Sequence, residues 1–247
     1  LCLKSAGVEI EMLDIDLKSA QLAQDLVKST QISEPDLILI AVPISANQRV
    51  VVEQLNANPK SIVCDLASVK SDLLLKVKEL SAKSENFFSL HPMAGREVAG
   101  AENARADLFE GRAWIAITDS FFDGKNKEIA QELVDICGGT LYWLSSSDHD
   151  NLVARISHLP QILSSLLAGS LHDISSENLN LAGQGLRDLT RLASADAQLW
   201  SQIIIENQSS ITPVIDSIIT SLEEVKQSIT SKNSKKLVDF IEKGQEG

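Results

Sequence analysis

Histidine takes up and releases protons near neutral pH, which suits it to general-base work. His91 stands in the run HPMAG, directly after the apolar stretch Phe87 to Leu90. A histidine at the carboxyl end of a strand points into the crevice where open α/β sheets bind ligands. Two readings are open for it, a base in such a crevice or a satisfied structural imidazole. Gly95 lets the backbone turn tightly or approach a ligand. In DLASVK, Ser68 and Lys70 lie just beyond another strand end, where Ser68 could also serve as a plain helix N-cap. His158 sits beside Pro160 in SHLPQ. The run GQGLRDLTRLA offers Arg187, Asp188 and Arg191. Arg187 and Arg191 are four apart and share a face if the run is helical. A paired arginine face suits a carboxylate-rich ligand, and a surface ion pair from Asp188 to Arg191 is the alternative.

These residues must be positioned by the elements around them. Up to about Leu144 the chain alternates between two periods. Strands are expected at Val8–Leu13, Asp36–Pro43, Ser61–Cys64, Phe87–Leu90, Trp114–Ile117 and Thr140–Leu144. Helices are expected at Leu17–Lys28, Ala46–Leu55, Leu73–Leu80 and Lys127–Cys137. The run DLILIAVP is continuously apolar and rich in β-branched residues, as in a strand buried on both faces of a parallel sheet. Alternation of this kind implies right-handed βαβ units. SSSD, ending at Asp148, marks a boundary with Asp148 as the expected N-cap. Beyond it the pattern is helical. Pro160 should kink the first of these helices and free the carbonyl of Ile156. Further helices are expected at Leu179–Ala193, Ala197–Glu206, Thr212–Ser231 and Lys235–Lys243. The expected division is an α/β domain over residues 1–147 and an all-α domain over 148–247.

The strand expected at Val8–Leu13 ends in Asp14. An acid at the end of the second strand of a dinucleotide-binding unit takes a ribose hydroxyl, although Asp14 and Asp16 also read as turn acids. The glycine fingerprint of such a unit lies roughly 20 residues upstream of the acid. Only Leu1 to Leu13 precede Asp14, and of these Leu1 to Gly7 resemble the tail of the first helix. The first strand and the glycine-rich loop are thus absent from this chain. About 15–20 residues holding them are expected before Leu1.

Composition bounds the rest. The 247 residues are 44% hydrophobic and carry a formal net charge of −12, which fits a packed core and argues against a nucleic-acid or anionic-membrane binder. Three widely spaced cysteines form no CxxC pair, so a reducing, cytoplasmic setting is expected. No run is long enough to span a bilayer, the opening residues lack the form of a signal peptide, and no metal site is expected.

Taken together, LDID (13–16), AVP (41–43), DLASVK (65–70), HPMAGRE (91–97), DLFEGRAW (107–114), HD (149–150), SHLP (157–160), GQGLRDLTRLA (183–193) and DAQLW (196–200) resemble the prephenate/arogenate dehydrogenase family of tyrosine biosynthesis. The resemblance covers nearly the whole chain. It implies a Rossmann-like nucleotide-binding domain joined to a helical dimerisation domain, and hence a homodimer. The implied reaction is oxidative decarboxylation of a cyclohexadienyl alcohol, with hydride leaving C4 for a nicotinamide. His91 then matches the catalytic histidine and Ser68 the serine that helps hold the C4 hydroxyl. Arg191 matches the arginine that clamps a substrate carboxylate. Ser157, His158 and Gln161 lie in the substrate-facing helix, and Gly183, Gln184 and Trp200 lie where a partner subunit helps close the site. Asp14, Val42, Pro43 and Ser68 are the implied cofactor contacts. Asp14 and Asp16 put negative charge where a 2′-phosphate would sit, which favours NAD over NADP.

Many family members carry a second histidine where this chain has Gln161, a neutral amide. Whether the substrate side chain bears a keto group (prephenate) or an amino group (arogenate) therefore stays open. A non-catalytic dimer module is the alternative if the protein truly starts at Leu1. Another β-hydroxyacid-type dehydrogenase would share the fold without predicting HPMAG together with DLTRLA.

Overall fold

The computed structural model describes residues 1–81, 83–95, 100–120 and 123–246. A short helix α1 (Cys2–Ser5) and helix α2 (Leu17–Val27) precede strand β1 (Leu37–Ile40). Then follow α3 (Ile44–Ala57), β2 (Ile62–Asp65), α4 (Ser71–Leu80), β3 (Phe87–Pro92), β4 (Ala113–Ile117), α5 (Gly124–Ile136) and β5 (Thr140–Leu144). The strands form one sheet in the order β1-β2-β3-β4-β5, parallel except where β3 meets β4. Successive side chains leave a strand on opposite faces. Val63, Phe87, Ile115 and Ile117 accordingly pack on α3 and α4 through Val51, Leu55, Leu74 and Val77. Cys64, Phe88, Leu90 and Trp114 pack the other face on α5 through Ala130, Leu133 and Val134. Each fully buried side chain of this size contributes roughly 1.5–3 kcal/mol. His91 shares the parity of Phe87, so it emerges on the α3 and α4 face.

The strand expected at Val8–Leu13 does not form. Its polar groups are met by the end of α2 and the loop behind it: Thr30 N–H donates to Ile10 O, Gln24 Nε2 to Met12 O, and Met12 N–H to Ser29 Oγ. The physical reason lies in pairing. In the doubly wound order 2-1-3-4-5 a second strand is an edge strand that pairs only with the first. Among the described residues β1 pairs only with β2, and no first strand is present.

The rest of the chain is helical. The cap of α6 (Ser146–Val153) is Ser145, not Asp148; the Ser145 hydroxyl accepts the Asp148 N–H and donates to its carboxylate. A π-helical turn, Ala154–His158, leads into α7 (Leu159–Gly169), whose first turn holds Pro160. Helical backbone runs unbroken into α7, and just before the proline the Leu159 N–H bonds five residues back to Ala154 O, so the missing N–H of Pro160 falls where the bonding pattern changes. The register change is thus taken up as a π-turn ahead of the proline. The single helix expected over Leu179–Ala193 is broken into α8 (Ser176–Leu179), α9 (Gln184–Thr190) and a 3-10 turn, Arg191–Ser194. Gly183 caps α9 in an extended conformation. Arg187 and Arg191 therefore do not lie on one continuous α-helix. Helices α10 (Ala197–Glu206), α11 (Gln208–Thr230) and α12 (Ser234–Gln245) complete the chain. No described helix is long and apolar enough to cross a membrane.

Candidate active site

His91, near the end of β3, is 9% exposed. Its Nδ1 lies 2.7 Å from Nε2 of His149 in α6, with the two rings edge-on at 64°. His149 is fully buried, and its Nδ1 lies 2.8 Å from Oδ1 of Asp150. Asp150 in turn accepts the N–H groups of Lys70 (3.0 Å) and Ser71 (2.8 Å), at the start of α4. That helix has no side-chain cap of its own residues. The first N–H groups of a helix need outside acceptors and favour negative charge. Asp150 supplies both, and so pins α6 to α4.

This line fixes protons. Burial works against the charge of Asp150, but the bonds from His149 and Ser71 prevail and hold its carboxyl below the usual range. A carboxylate accepts only, so His149 Nδ1 must carry the proton donated to it. Burial outweighs the opposing pull of Asp150 and lowers the pKa of His149, so the ring is neutral at neutral pH and its Nε2 is bare. His91 Nδ1 is then the donor to that nitrogen. Burial foremost, then His149, Lys70 and His158, push His91 well below its ordinary value. A neutral His91 with Nδ1 protonated has one basic atom left, Nε2.

Beneath His91 lies a second buried group. Lys70 Nζ donates to Asp65 Oδ2 (2.9 Å) and to the carbonyl of Leu90 (2.7 Å), and both charged side chains are wholly buried. Asp65 Oδ2 also accepts from Ala67 N–H at 2.9 Å and, more weakly, from Asn47 Nδ2 at 3.4 Å. Lys70 thereby ties the end of β2 to the peptide that precedes His91. Ser68 sits between β2 and α4, half-buried.

On the helical side, His158 ends the π-turn and is buried. Its Nδ1 is 3.1 Å from Nδ2 of Asn207, which also donates to the carbonyl of Asp150 at 2.9 Å. The Trp200 ring meets His158 edge-on at 6.0 Å between centroids. Burial, with help from His149 and against the pull of Asp150, lowers His158 to about 4. Gln161 is buried in α7 and donates to the Leu192 carbonyl at 2.9 Å, inside the 3-10 turn that Arg191 opens. Its amide nitrogen holds that turn in place. Ser157 is half-buried, whereas Gly183, Gln184 and Arg191 are exposed. Gln184 donates to Asp188 within α9.

Of the expected cofactor contacts, Val42 and Pro43 follow β1 and Ser68 follows β2, whereas Asp14 follows a segment that forms no strand. Asp14 is exposed and held before α2 by the Asp16 N–H, 2.8 Å from its Oδ1. Val42 packs on the core and Pro43 is exposed, at the start of α3, whose N-terminus has no side-chain cap. A carboxylate suits ribose hydroxyls, and an apolar wall below uncapped helical N–H groups suits a nicotinamide. The residues present therefore fit these two parts of a dinucleotide. No described strand is followed by a GxGxxG turn, so the diphosphate part has no cradle among them.

The structure thus joins His91 with His158 and Trp200 through three residues to which the sequence reading gave no role, His149, Asp150 and Asn207. The only advance signal was the HD pair at 149–150. Of the run HPMAGRE, Arg96 and Glu97 lie outside the described residues.

Two family models match the chain. The nucleotide-binding domain of prephenate dehydrogenase matches residues 2–143, and the dimerization domain of prephenate dehydrogenase matches residues 145–243. Among curated proteins, a prephenate dehydrogenase of Lactococcus lactis is 30% identical over 264 residues, covering 99% of this chain and 71% of the relative. A cyclohexadienyl dehydrogenase of Zymomonas mobilis is 26% identical over 219 residues, covering 87% of this chain and 74% of the relative. Among solved structures, Aquifex aeolicus prephenate dehydrogenase in complex with hydroxyphenyl propionate and NAD+ superimposes with a TM-score of 0.86. It is 24% identical and covers 99% of this chain and 90% of its own.

Proposed function

The chain belongs to the prephenate dehydrogenase family, and from that membership and the His91 line we propose that it oxidises and decarboxylates prephenate to 4-hydroxyphenylpyruvate with NAD. The single observation that carries the chemistry is the ordered set Asp150, His149, His91, which leaves Nε2 of His91 bare.

Bound NAD would accept the hydride released from C4 of the substrate, and Asp14, Val42, Pro43 and Ser68 would hold it. The chain's own residues do the rest. Nε2 of His91 takes the proton of the C4 hydroxyl as hydride departs, with Ser68 helping to hold that oxygen. The bond from the ring to its carboxylate then breaks, and its electron pair makes the ring aromatic as CO₂ leaves. The oxygen becomes a phenolic oxygen, to which His91 returns the proton, so no net proton is consumed. Arg191 binds a substrate carboxylate. Aromatisation supplies driving force, so the protein needs chiefly orientation and one base. Residues 1–147 would bind the cofactor and residues 148–247 the substrate.

A homodimer through the helical part accords with large exposed apolar side chains there, among them Leu181 at 84% and Leu189 at 65%. A cytoplasmic address fits three cysteines that form no disulfide.

The direct test is NADH formation on mixing the protein with NAD and either prephenate or arogenate. We expect NADH and CO₂ with prephenate. Turnover of arogenate alone would move the substrate to the amino acid, and turnover of neither would refute the reading.

A further inference from the structure

Asn207 lies at the junction of α10 and α11 and is 1% exposed. Its amide touches two groups of different character. The Asp150 carbonyl, 2.9 Å away, can only accept, so the atom facing it must be the NH₂ nitrogen. That orients the amide without reference to His158. The same nitrogen lies 3.1 Å from Nδ1 of His158. An NH₂ group donates only, so Nδ1 must be the bare nitrogen of the imidazole. A neutral ring then carries its proton on Nε2, on the side away from Asn207.

We propose that Asn207 is a positioning residue that locks His158 as a neutral Nε2–H donor, so that the substrate side chain is recognised through an oxygen acceptor. This rests on the reading of the chain as a cyclohexadienyl dehydrogenase with its substrate against His158. An N–H donor matches a keto oxygen and is mismatched to an ammonium group, which itself only donates. The charge state of the ring supports the same assignment. Asp150 and His149 face it from α6, and Trp200 meets it from α10. Burial among them keeps it uncharged down to about pH 4. The neutral amide at Gln161 offers no cation to this region either, and its nitrogen is committed to Leu192. Selection of the keto acid would then come from His158, with Asn207 setting the proton.

The test is a ring proton–nitrogen correlation spectrum of the ¹⁵N-labelled protein. Only four histidines are present, and His158→Gln identifies the signal. The native spectrum should show His158 with Nε2 protonated and Nδ1 bare at pH 7. A protonated Nδ1 overturns the proposal, and no variant is needed to see it. Asn207→Asp places an acceptor against Nδ1 and should move the proton there. It should raise KM for prephenate at least tenfold while kcat changes less than threefold, and should not raise KM for arogenate. An unchanged ring spectrum in that variant, or a changed one with an unchanged KM, overturns the proposal. If the native protein turns over neither substrate, the functional reading fails, while the native ring spectrum still decides the role of Asn207.

Discussion

The two ends of the site are built in opposite ways. Around His91 four polar side chains are buried and committed: Asp65 to Lys70, Lys70 to Leu90, Asp150 to the start of α4, His149 between Asp150 and His91. Around Arg191, by contrast, neither α9 nor the following 3-10 turn has a buried residue. The difference accords with what each end would do under the proposed function. A base works when its tautomer is fixed before the substrate arrives, and fixing it needs a closed chain of donors and acceptors. The carboxylate clamp proposed for Arg191 would have to admit a charged ligand from water, and Arg191 is exposed. The exposed end is also where a second copy would find apolar surface to cover.

The largest effect expected from breaking this contrast is on the closed end. His91→Asn removes the bare nitrogen and should lower kcat by roughly 10²–10⁴-fold, with the melting temperature little changed. A loss below threefold would take His91 out of the chemistry. Asp65→Leu leaves Lys70 buried without its counter-ion, which costs about 3–5 kcal/mol. Urea unfolding reads that loss, and the double change Asp65→Leu with Lys70→Met should recover most of it. No recovery would mean that the pair is not the cause.

Acid should strike the same end next. His158 binds a proton with a pKa near 6.5 when unfolded and about 4 when folded. The unfolded chain therefore holds more protons between those values. Stability is complete above about pH 6.5 and falls as pH drops towards 4, by roughly 3 kcal/mol. His91 and His149 add to the loss in the same direction. Denaturant midpoints measured from pH 7 to pH 4 check this, and a flat series would contradict it. At the open end, Arg191→Leu should raise KM roughly 10–100-fold, as loss of a charge-assisted bond does. Its stability should stay within about 0.5 kcal/mol of the native protein. A stability loss larger than the binding loss would erase the contrast between the two ends.

Much of this was legible in the sequence, and the remainder was hidden for identifiable reasons. β2, β3 and β4 were readable because continuous apolar runs must be buried, and β1 and β5, less buried at the two edges of the sheet, carry the same apolar character. His91 stood out by type and place, whereas the helix face expected to join Arg187 and Arg191 is divided between α9 and a 3-10 turn. Val8–Leu13 alternates like a strand, yet a strand exists only with a neighbour to pair with. Asp148 looked like the cap of α6, and Ser145, three residues earlier, takes that role because its hydroxyl reaches the Asp148 N–H. The helix expected over Leu179–Ala193 breaks at Gly183, an extended position that periodicity does not register. Within the site, His149 lies 58 residues from His91, and Asn207 lies 49 from His158. Local pattern cannot announce partners at such separations; only packing of α6 and α11 against α4 and the π-turn creates them.

The claim at the centre is that His91 is a neutral base whose Nε2 is kept bare by His149 and Asp150. The pH dependence of kcat/KM for prephenate tests it most directly. Burial and the neighbouring rings hold His91 well below pH 6.5, so the profile should stay level from pH 8 through pH 6.5 and fall only at more acidic values. An acid limb centred at or above pH 6.5 would contradict it.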